Sequence, residues 1–334
     1  MKAIVLPDYN SNVIRAMKSL QVQDLEIPKP HGPQVLIKVA AAPCNPSDIA
    51  FMRGGYDIRK PVPVVMGFEC TGTVVETGDD PAALQMIGQR VSCFTQGAEN
   101  GTWAEYFLTD YRNCLTVREE LDDDQAAALC INPFTAYALF SMATEKKAGA
   151  IIQNAASGQI GIFIRTLAKN KRLAVINLVR KEEHIKDLNE EGEKYVLNMN
   201  DPGFEVELRH LAYETRATIA FDAVAGDTAG MMLNAMPPGS GLVIYGGLSG
   251  KPVGLVNPLD IIFKAKTIRG FNLGDWKKEV GEAHFQKVSD ELQELMINRL
   301  LVTRIQCTYS LDEVQKALEQ YIRNMSSGKI LFQP

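Results

Sequence analysis

The chain has 334 residues, enough for two domains with cores of their own, and at 46% hydrophobic and 22% charged it reads as an ordinary globular protein. A formal net charge of −5 offers no basic field to nucleic acid. The apolar run after Lys2 stops at Pro7-Asp8, too short for a secretory leader, and the longest apolar stretch, 126–140, is interrupted by Asn132, Pro133 and Thr135 and is not expected to span a bilayer.

In chain order, roughly the first 120 residues read as β-rich. Strands are expected at 35–39, at 72–78 between glycines, at 88–94 and at 103–107. The composition shifts at Asp122-Asp123-Asp124, acidic residues suited to the start of a helix that continues through Gln125 to Leu129. From about 149 to 267 strands and helices alternate, which implies a parallel sheet. Its strands are expected near 151–153, 173–179, 218–221 and 241–245, with a helix over about 227–236. In the tail, Phe285, Val288, Leu292, Leu295 and Met296 form a helical stripe. Ser310 with Glu313 makes a capping box ahead of a helix over 311–323, and 328–332 reads as a closing strand. The six cysteines lie scattered without C-x-x-C pairs, as suits reduced thiols in a cytoplasmic protein.

The most informative stretch is Ile151-Ile152-Gln153-Asn154-Ala155-Ala156-Ser157-Gly158-Gln159-Ile160-Gly161. An apolar run breaks at small residues and resumes as a helical pattern, the strand–turn–helix that aims free N–H groups at a pyrophosphate. Gly158 would let the backbone approach the phosphates and Gly161 would let the helix pack on the strand, while Ala156 takes the place of the usual first glycine. About 22 residues beyond Gly158, a second strand ends in Arg180-Lys181, with no acid between Leu173 and Lys181. A cation at that strand end suits the 2′-phosphate of NADPH rather than the ribose hydroxyls of NADH. The other reading of Arg180 is a solvated charge at a helix start.

The order and spacing of several short segments resemble the medium-chain dehydrogenase/reductase superfamily over essentially the whole chain. They are Asn45-Pro46-Ser47-Asp48, Gly54-Gly55-Tyr56, Gly67-Phe68-Glu69, Gly101-Thr102-Trp103, 132–137, the Gly158/Gly161 loop, Val179-Arg180, Tyr245-Gly246-Gly247 and Arg269-Gly270-Phe271. The nearest flavour is the zinc-free branch of quinone oxidoreductases and 2-enoyl thioester reductases. The resemblance implies an α/β architecture in which a GroES-like β-rich catalytic domain (1–124, returning at 268–334) flanks a Rossmann doubly wound dinucleotide-binding domain (125–267). It further implies a homodimer paired through the segment from Val253 to Lys266.

Zinc-dependent relatives place a cysteine and a histidine ligand where this chain has Asn45 and Phe68, and neither is a competent zinc ligand there. No metal is expected. Hydride addition to a double bond conjugated to a carbonyl needs no Lewis acid but does need a proton, and the resemblance implies Tyr56 as its donor. Asn45 is expected to help orient substrate or the loop; Asp48 does the same or simply caps a helix. Thr135 resembles a threonine near the nicotinamide, or is a helical threonine bonded to the preceding turn. Gly246, Gly247 and Leu248 follow a strand end on the cofactor edge. Tyr195 either flanks the adenosine phosphate or is a buried strand tyrosine. Arg53, Arg59 and Lys60 either attract a coenzyme A or acyl carrier protein thioester or are solvated loop charges. His31, His184, His210 and His284 have no ligand spacing and are expected to be surface or ordinary hydrogen-bonded residues. The expected activity is NADPH-dependent reduction of an activated C=C bond. The alternatives are NADPH:quinone reduction and, from another class, a non-catalytic NADPH-binding sensor.

Overall fold

Strands in the first part of the chain form because β-branched and apolar residues recur between glycine- and proline-bearing turns. The computed structural model describes residues 1–97 and 100–334. The chain divides into two compact units, Met1–Pro133 with Gln286–Pro334, and Phe134–Phe285. In the first unit the strands are β1 (Lys2–Leu6), β2 (Gln21–Asp24), β3 (Gln34–Pro43), β4 (Val64–Val65), β5 (Glu69–Thr77), β6 (Arg90–Phe94), β7 (Tyr106–Asp110) and β8 (Cys114–Thr116). β1 pairs antiparallel with β2 and β4. β3 is paired on both edges, to β5 and β7, and is accordingly buried along most of its length. Trp103, Phe51, Phe68, Phe107 and Phe332 are the large, fully buried side chains of this unit, with Trp103 and Phe332 4.7 Å apart between ring centroids.

The second unit is an all-parallel six-stranded sheet of β9 (Ala150–Gln153), β10 (Ala174–Val179), β11 (Tyr195–Asn198), β12 (Ala217–Asp222), β13 (Gly241–Ile244) and β14 (Thr267–Gly270). Its order is β11-β10-β9-β12-β13-β14, so the chain winds outward from β9 to one side and then, from β12, to the other. The reversal lies between β9 and β12, and in doubly wound sheets ligands bind at the carboxyl ends of the strands beside such a point.

The chain then returns to the first unit with β15 (Ile305–Tyr309) and β16 (Lys329–Phe332), giving the order β15-β16-β3-β5-β6-β8 with β7 on β3. The Ser310/Glu313 capping box forms as expected, although the first turn is 3₁₀ and the α-helix proper is Val314–Arg323. The unit boundaries differ from those read in the sequence, for two reasons. The helix Asp123–Ala127 is fastened to the first unit, where Gln125 exchanges hydrogen bonds with the Thr303 backbone (3.0 and 2.8 Å) and the Ser92 hydroxyl donates to Ala126 O at 2.7 Å. β14 is the sixth strand of the parallel sheet, and Trp276 and Phe285 beyond it pack on Phe134, Phe285 stacking at 4.4 Å.

Candidate active site

In the second unit, β9 ends in a loop whose shape is set from within. The left-handed residue is Ala155, φ 48°, one position before Ala156, where the sequence suggested the first glycine would have stood. Ala156 is instead fully buried, and a Cβ on Gly161 would fall 2.6 Å from Ala156 O, so the helix Gln159–Asn170 sits against the loop only because residue 161 has no side chain. Gly158 is the N-cap of that helix and makes no side-chain cap, which leaves the first N–H groups for a ligand. Ser157, Gly158, Gln159 and Ile160 are half-buried around it.

Three side chains that sequence reasoning missed hold this loop. Arg165, 5% exposed, donates from its guanidinium to Ala156 O and pairs with Glu191 (2.7 Å) and Glu193 (3.3 Å). Gln153 donates to Gly161 O (3.1 Å) and to Asn177 Oδ1 (2.8 Å). Asn154 donates to Asp222 (2.5 Å) and accepts from Ala223 N (2.8 Å), tying the loop after β9 to the loop after β12. Ala223 O in turn accepts from Leu248 N at 3.1 Å, and a Cβ on Gly246 would lie 2.7 Å from that same oxygen. Gly246, Gly247 and Leu248 thus share the carboxyl edge with the Ala156–Gly161 turn.

Arg180 is exposed at the end of β10, and among the described residues no carboxylate pairs with it. His184, expected as a surface or ordinary hydrogen-bonded residue, is half-buried with Nδ1 3.1 Å from the Ser157 hydroxyl. Tyr195 is not brought to this edge. It opens β11, opposite Ile176, three residues before the strand end at Asn198, and Lys194 lies over its ring at 4.7 Å. Thr135 is buried in the first turn of the helix Asn132–Glu145.

In the first unit, the helix Pro46–Met52 stops at Gly54, whose φ of 69° turns the chain into the Tyr56 loop. Tyr9 clamps the far end of the loop, its hydroxyl bonding Lys60 O and Lys60 N at 2.8 and 2.9 Å. The Tyr56 ring lies 5.5 Å from that of Phe68, and its hydroxyl accepts a hydrogen bond from Gln96 Nε2. Burial, with Asp48 nearby adding to it, pushes the phenol up to about 12. Tyr56 is therefore neutral at physiological pH, and with its oxygen already accepting from Gln96 its proton remains available to another partner. Of the three loop cations, Arg53 donates to Ser11 O at 3.0 Å, Arg59 lies over Tyr9 at 5.2 Å, and Lys60 is buried over Phe68 at 5.7 Å.

Behind the loop is a buried polar network of Asn45, Asp48, Glu69 and Lys329. Lys329 Nζ donates to Asn45 Oδ1, Asn45 Nδ2 donates to Glu69 Oε2 at 3.1 Å, and Glu69 Oε1 accepts from Ile131 N at 2.8 Å. The Asn45 carboxamide thus stands between a cation and an anion, each end matched to its neighbour. Its backbone N–H donates to Asp48 Oδ2 at 2.7 Å, completing a capping box, so Asp48 does cap the helix. Burial raises the carboxyl groups of Glu69 and of Asp48, the latter to about 7, and lowers the Lys329 ammonium.

The two units together define an oxidoreductase of the GroES-like plus Rossmann type. Residues 31–119 match the alcohol dehydrogenase GroES-like domain, and 160–294 match the family described as zinc-binding dehydrogenase. The mitochondrial enoyl-[acyl-carrier-protein] reductase of Mus musculus is 30% identical over 323 residues, covering 93% of this chain and 84% of that protein. The quinone oxidoreductase of Homo sapiens is 28% identical, covering 99% and 97%. A Mesorhizobium loti structure described as an NADPH:quinone reductase superposes with a TM-score of 0.93 at 31% identity, covering 100% and 98%. The chain belongs to the zinc-independent medium-chain dehydrogenase/reductase superfamily. The zinc of the second family's description finds no fitting donors here. Asn45 has both ends of its carboxamide engaged, Phe68 offers a phenyl ring packed edge-on against Phe51, and a buried ammonium, Lys329, holds the nearby positive charge. Among the described residues no group of three or more His, Cys, Asp or Glu is disposed to hold a metal, and no helix is long and apolar enough to cross a membrane.

Proposed function

We propose that the protein is an NADPH-dependent reductase of a C=C bond conjugated to a carbonyl, in a 2-enoyl thioester or enone, with Tyr56 as the proton donor. The observation that carries this reading is the state of Tyr56, a half-buried phenol kept neutral and held through its oxygen by Gln96. The bound nicotinamide would supply a hydride to the β-carbon. Tyr56 would then pass its proton to the α-carbon or to the enolate oxygen, or stabilise that oxygen by a hydrogen bond. Asn45 acts as a positioning residue, fixing the start of the helix that leads to the Tyr56 loop. An acyl carrier protein carrier is suggested by the name of the mouse relative, and coenzyme A is the other thioester carrier expected from the sequence. The local engagement of Arg53 and Arg59 gives either carrier less support.

The cofactor reading rests on Arg180 at the end of β10, on the uncapped helix N-terminus after Gly158 and on the absence of an acid at that strand end. The Ala156–Gly161 turn would take the pyrophosphate, Gly246, Gly247 and Leu248 would follow the cofactor along the edge, and Thr135 would lie toward the nicotinamide. Tyr195 would contribute to the adenosine side only as a support of β11. A mycobacterial protein of the same fold has been solved with NADPH (TM-score 0.84, 22% identity). Quinone reduction is the second reading, favoured by the likeness to the Mesorhizobium loti structure.

Tyr56→Phe separates the two. Enoyl turnover should fall by about 10²–10⁴-fold, the usual contribution of a positioned general acid, with NADPH affinity retained. Quinone reduction, whose oxygens take protons from solvent, should fall much less. Enoyl reduction within a few-fold of the parent would remove Tyr56 from the mechanism. A chain that oxidises NADPH with no enoyl thioester, enone or quinone would be the non-catalytic sensor instead.

A homodimer through the edge at β14 is part of this proposal. The strand is exposed throughout, and the adjoining helix Pro258–Lys264 presents Leu259, Ile262 and Phe263 at 55, 65 and 77% exposure, a large apolar surface for a second copy to cover. The scatter of six cysteines supports a reducing compartment, the cytoplasm.

A further inference from the structure

Three of the six cysteines form a row across adjacent strands. In the register of the first unit's sheet Cys70 on β5 stands opposite Cys93 on β6, and Cys93 stands opposite Cys114 on β8. Directly opposed residues point to the same face. The Cys93 and Cys114 Sγ atoms are 3.4 Å apart. Opposed residues of antiparallel strands have Cα atoms about 4.5–5.5 Å apart, inside the range of about 4.4–6.8 Å that a disulfide spans. Closing the sulfurs to about 2.05 Å is therefore a movement of about 1.4 Å, within reach of side-chain rotation.

The thiols differ in access. Cys70 and Cys93 are fully buried, and Cys114 is half-buried at the short outer strand β8. Burial, then the hydrogen bonds to Cys114 and Cys70, hold the Cys93 thiol well above its ordinary range. Reaction with an oxidant from solvent accordingly begins at Cys114, and Cys93 is the sulfur beside it that can capture the product.

We propose that Cys114 and Cys93 form a reversible peroxide-oxidation site, Cys114 reacting first and Cys93 resolving it to a disulfide across β6 and β8. The Cys114 thiolate attacks one oxygen of hydrogen peroxide and the O–O bond breaks, leaving a sulfenic acid and water once the thiol proton is counted. Cys93 sulfur then attacks Cys114 sulfur. The S–S bond forms, the S–O bond breaks, and hydroxide leaves with the Cys93 proton as water. Two thiols are oxidised and one peroxide is reduced to two waters. A dithiol reverses the step by thiol–disulfide exchange.

The test uses the whole unmodified chain, treated with hydrogen peroxide while folded and then, once unfolded in urea, with an alkylating agent. Trypsin cuts after Arg90, Arg112 and Arg118, so Cys93 and Cys114 fall on separate peptides, 91–112 and 113–118, and Cys70 on a third. The expected result is a mass lower by two hydrogens, two alkylatable thiols lost, the two peptides recovered joined, and full reversal by dithiothreitol. In Cys114→Ser, the same treatment should leave Cys93 alkylatable. The proposal is overturned if Cys114 proceeds to sulfinic acid with no joined peptide. It is equally overturned if the bond links Cys70 to Cys93, or if Cys93 is lost as readily in the Cys114→Ser chain.

Discussion

Asp48→Asn tests whether the buried network carries the charge its environment dictates. Asp48 is fully buried, caps its helix through Oδ2, and among the described residues its Oδ1 has no hydrogen-bond partner. Burial lifts its carboxyl from 3.8 to about 7. A carboxyl raised on folding stabilises fully below its unfolded value, and that contribution is lost as pH climbs through the folded value. At about 1.36 kcal/mol per pH unit the whole loss is about 4 kcal/mol, of which roughly 3 falls between pH 4.5 and 8. Lys329, Glu69, Cys44, Tyr56 and Tyr321 all feel or set this charge. Asparagine keeps an acceptor for the Asn45 N–H and cannot ionise, but its amide nitrogen would take the place of the unpartnered oxygen, a pH-independent cost of about 1–3 kcal/mol. The variant should thus be about 1–3 kcal/mol more stable than the parent at pH 8 and level with it, or about 2 kcal/mol less stable, at pH 4.5. Urea unfolding at the two pH values, in a Trp276→Phe background where Trp103 reports on the first unit alone, would read this. Parallel stability curves, with one difference at both pH values, would refute the assignment.

Arg180→Ala should weaken NADPH binding by about 1.5–3 kcal/mol, the scale of hydrogen bonds to a charged group, and leave NADH almost unchanged by titration; equal cofactor affinities in the parent would refute the phosphate role. Ala155→Gly should not show the usual loss, because the left-handed φ of 48° costs a non-glycine residue about 1–2 kcal/mol, against about 0.4–1 kcal/mol of added unfolded-chain entropy. A stability loss above about 1 kcal/mol would mean that the turn is not strained. Phe263→Asp, on a side chain 77% exposed, should convert a dimer to a monomer in light scattering, whereas a parent that is already monomeric would discard the edge pairing.

The second unit was largely legible because its signals are local. The apolar run at 151–153, the helical stripe after Gly158 and the cation after Val179 lie within about thirty residues, and each element formed close to its expected place. The left-handed residue of the loop, Ala155, went unmarked in the sequence because neither Ala155 nor Ala156 is a glycine. β14, short and exposed, had no hydrophobic alternation to announce it, so the sequence reading closed the dinucleotide-binding domain at 267, whereas the compact unit runs on to Phe285. Tyr195 was left between the adenosine phosphate and a strand position; it opens β11, and at a rise of about 3.3 Å per residue three residues separate it from the strand end.

The first unit's site was legible only in outline, because what holds it is made of partners far apart in sequence. Lys329 is 284 residues from Asn45, and at the start of a closing strand a lysine reads as an exposed end. Gln96, 40 residues from Tyr56, follows a strand and precedes a glycine, and nothing in that pattern distinguishes it from a loop glutamine. Asn45 and Phe68 showed that the zinc ligands of zinc-dependent relatives do not stand at these positions, but not which charges do stand beside them. The fold answers with a buried ammonium, bridged to Glu69 by the Asn45 carboxamide. A buried carboxylate left unpaired costs several kcal/mol, so Glu69 and Lys329, joined through the Asn45 carboxamide, are interdependent in the core. Removing Lys329 alone should hurt this unit more than removing the whole triad would.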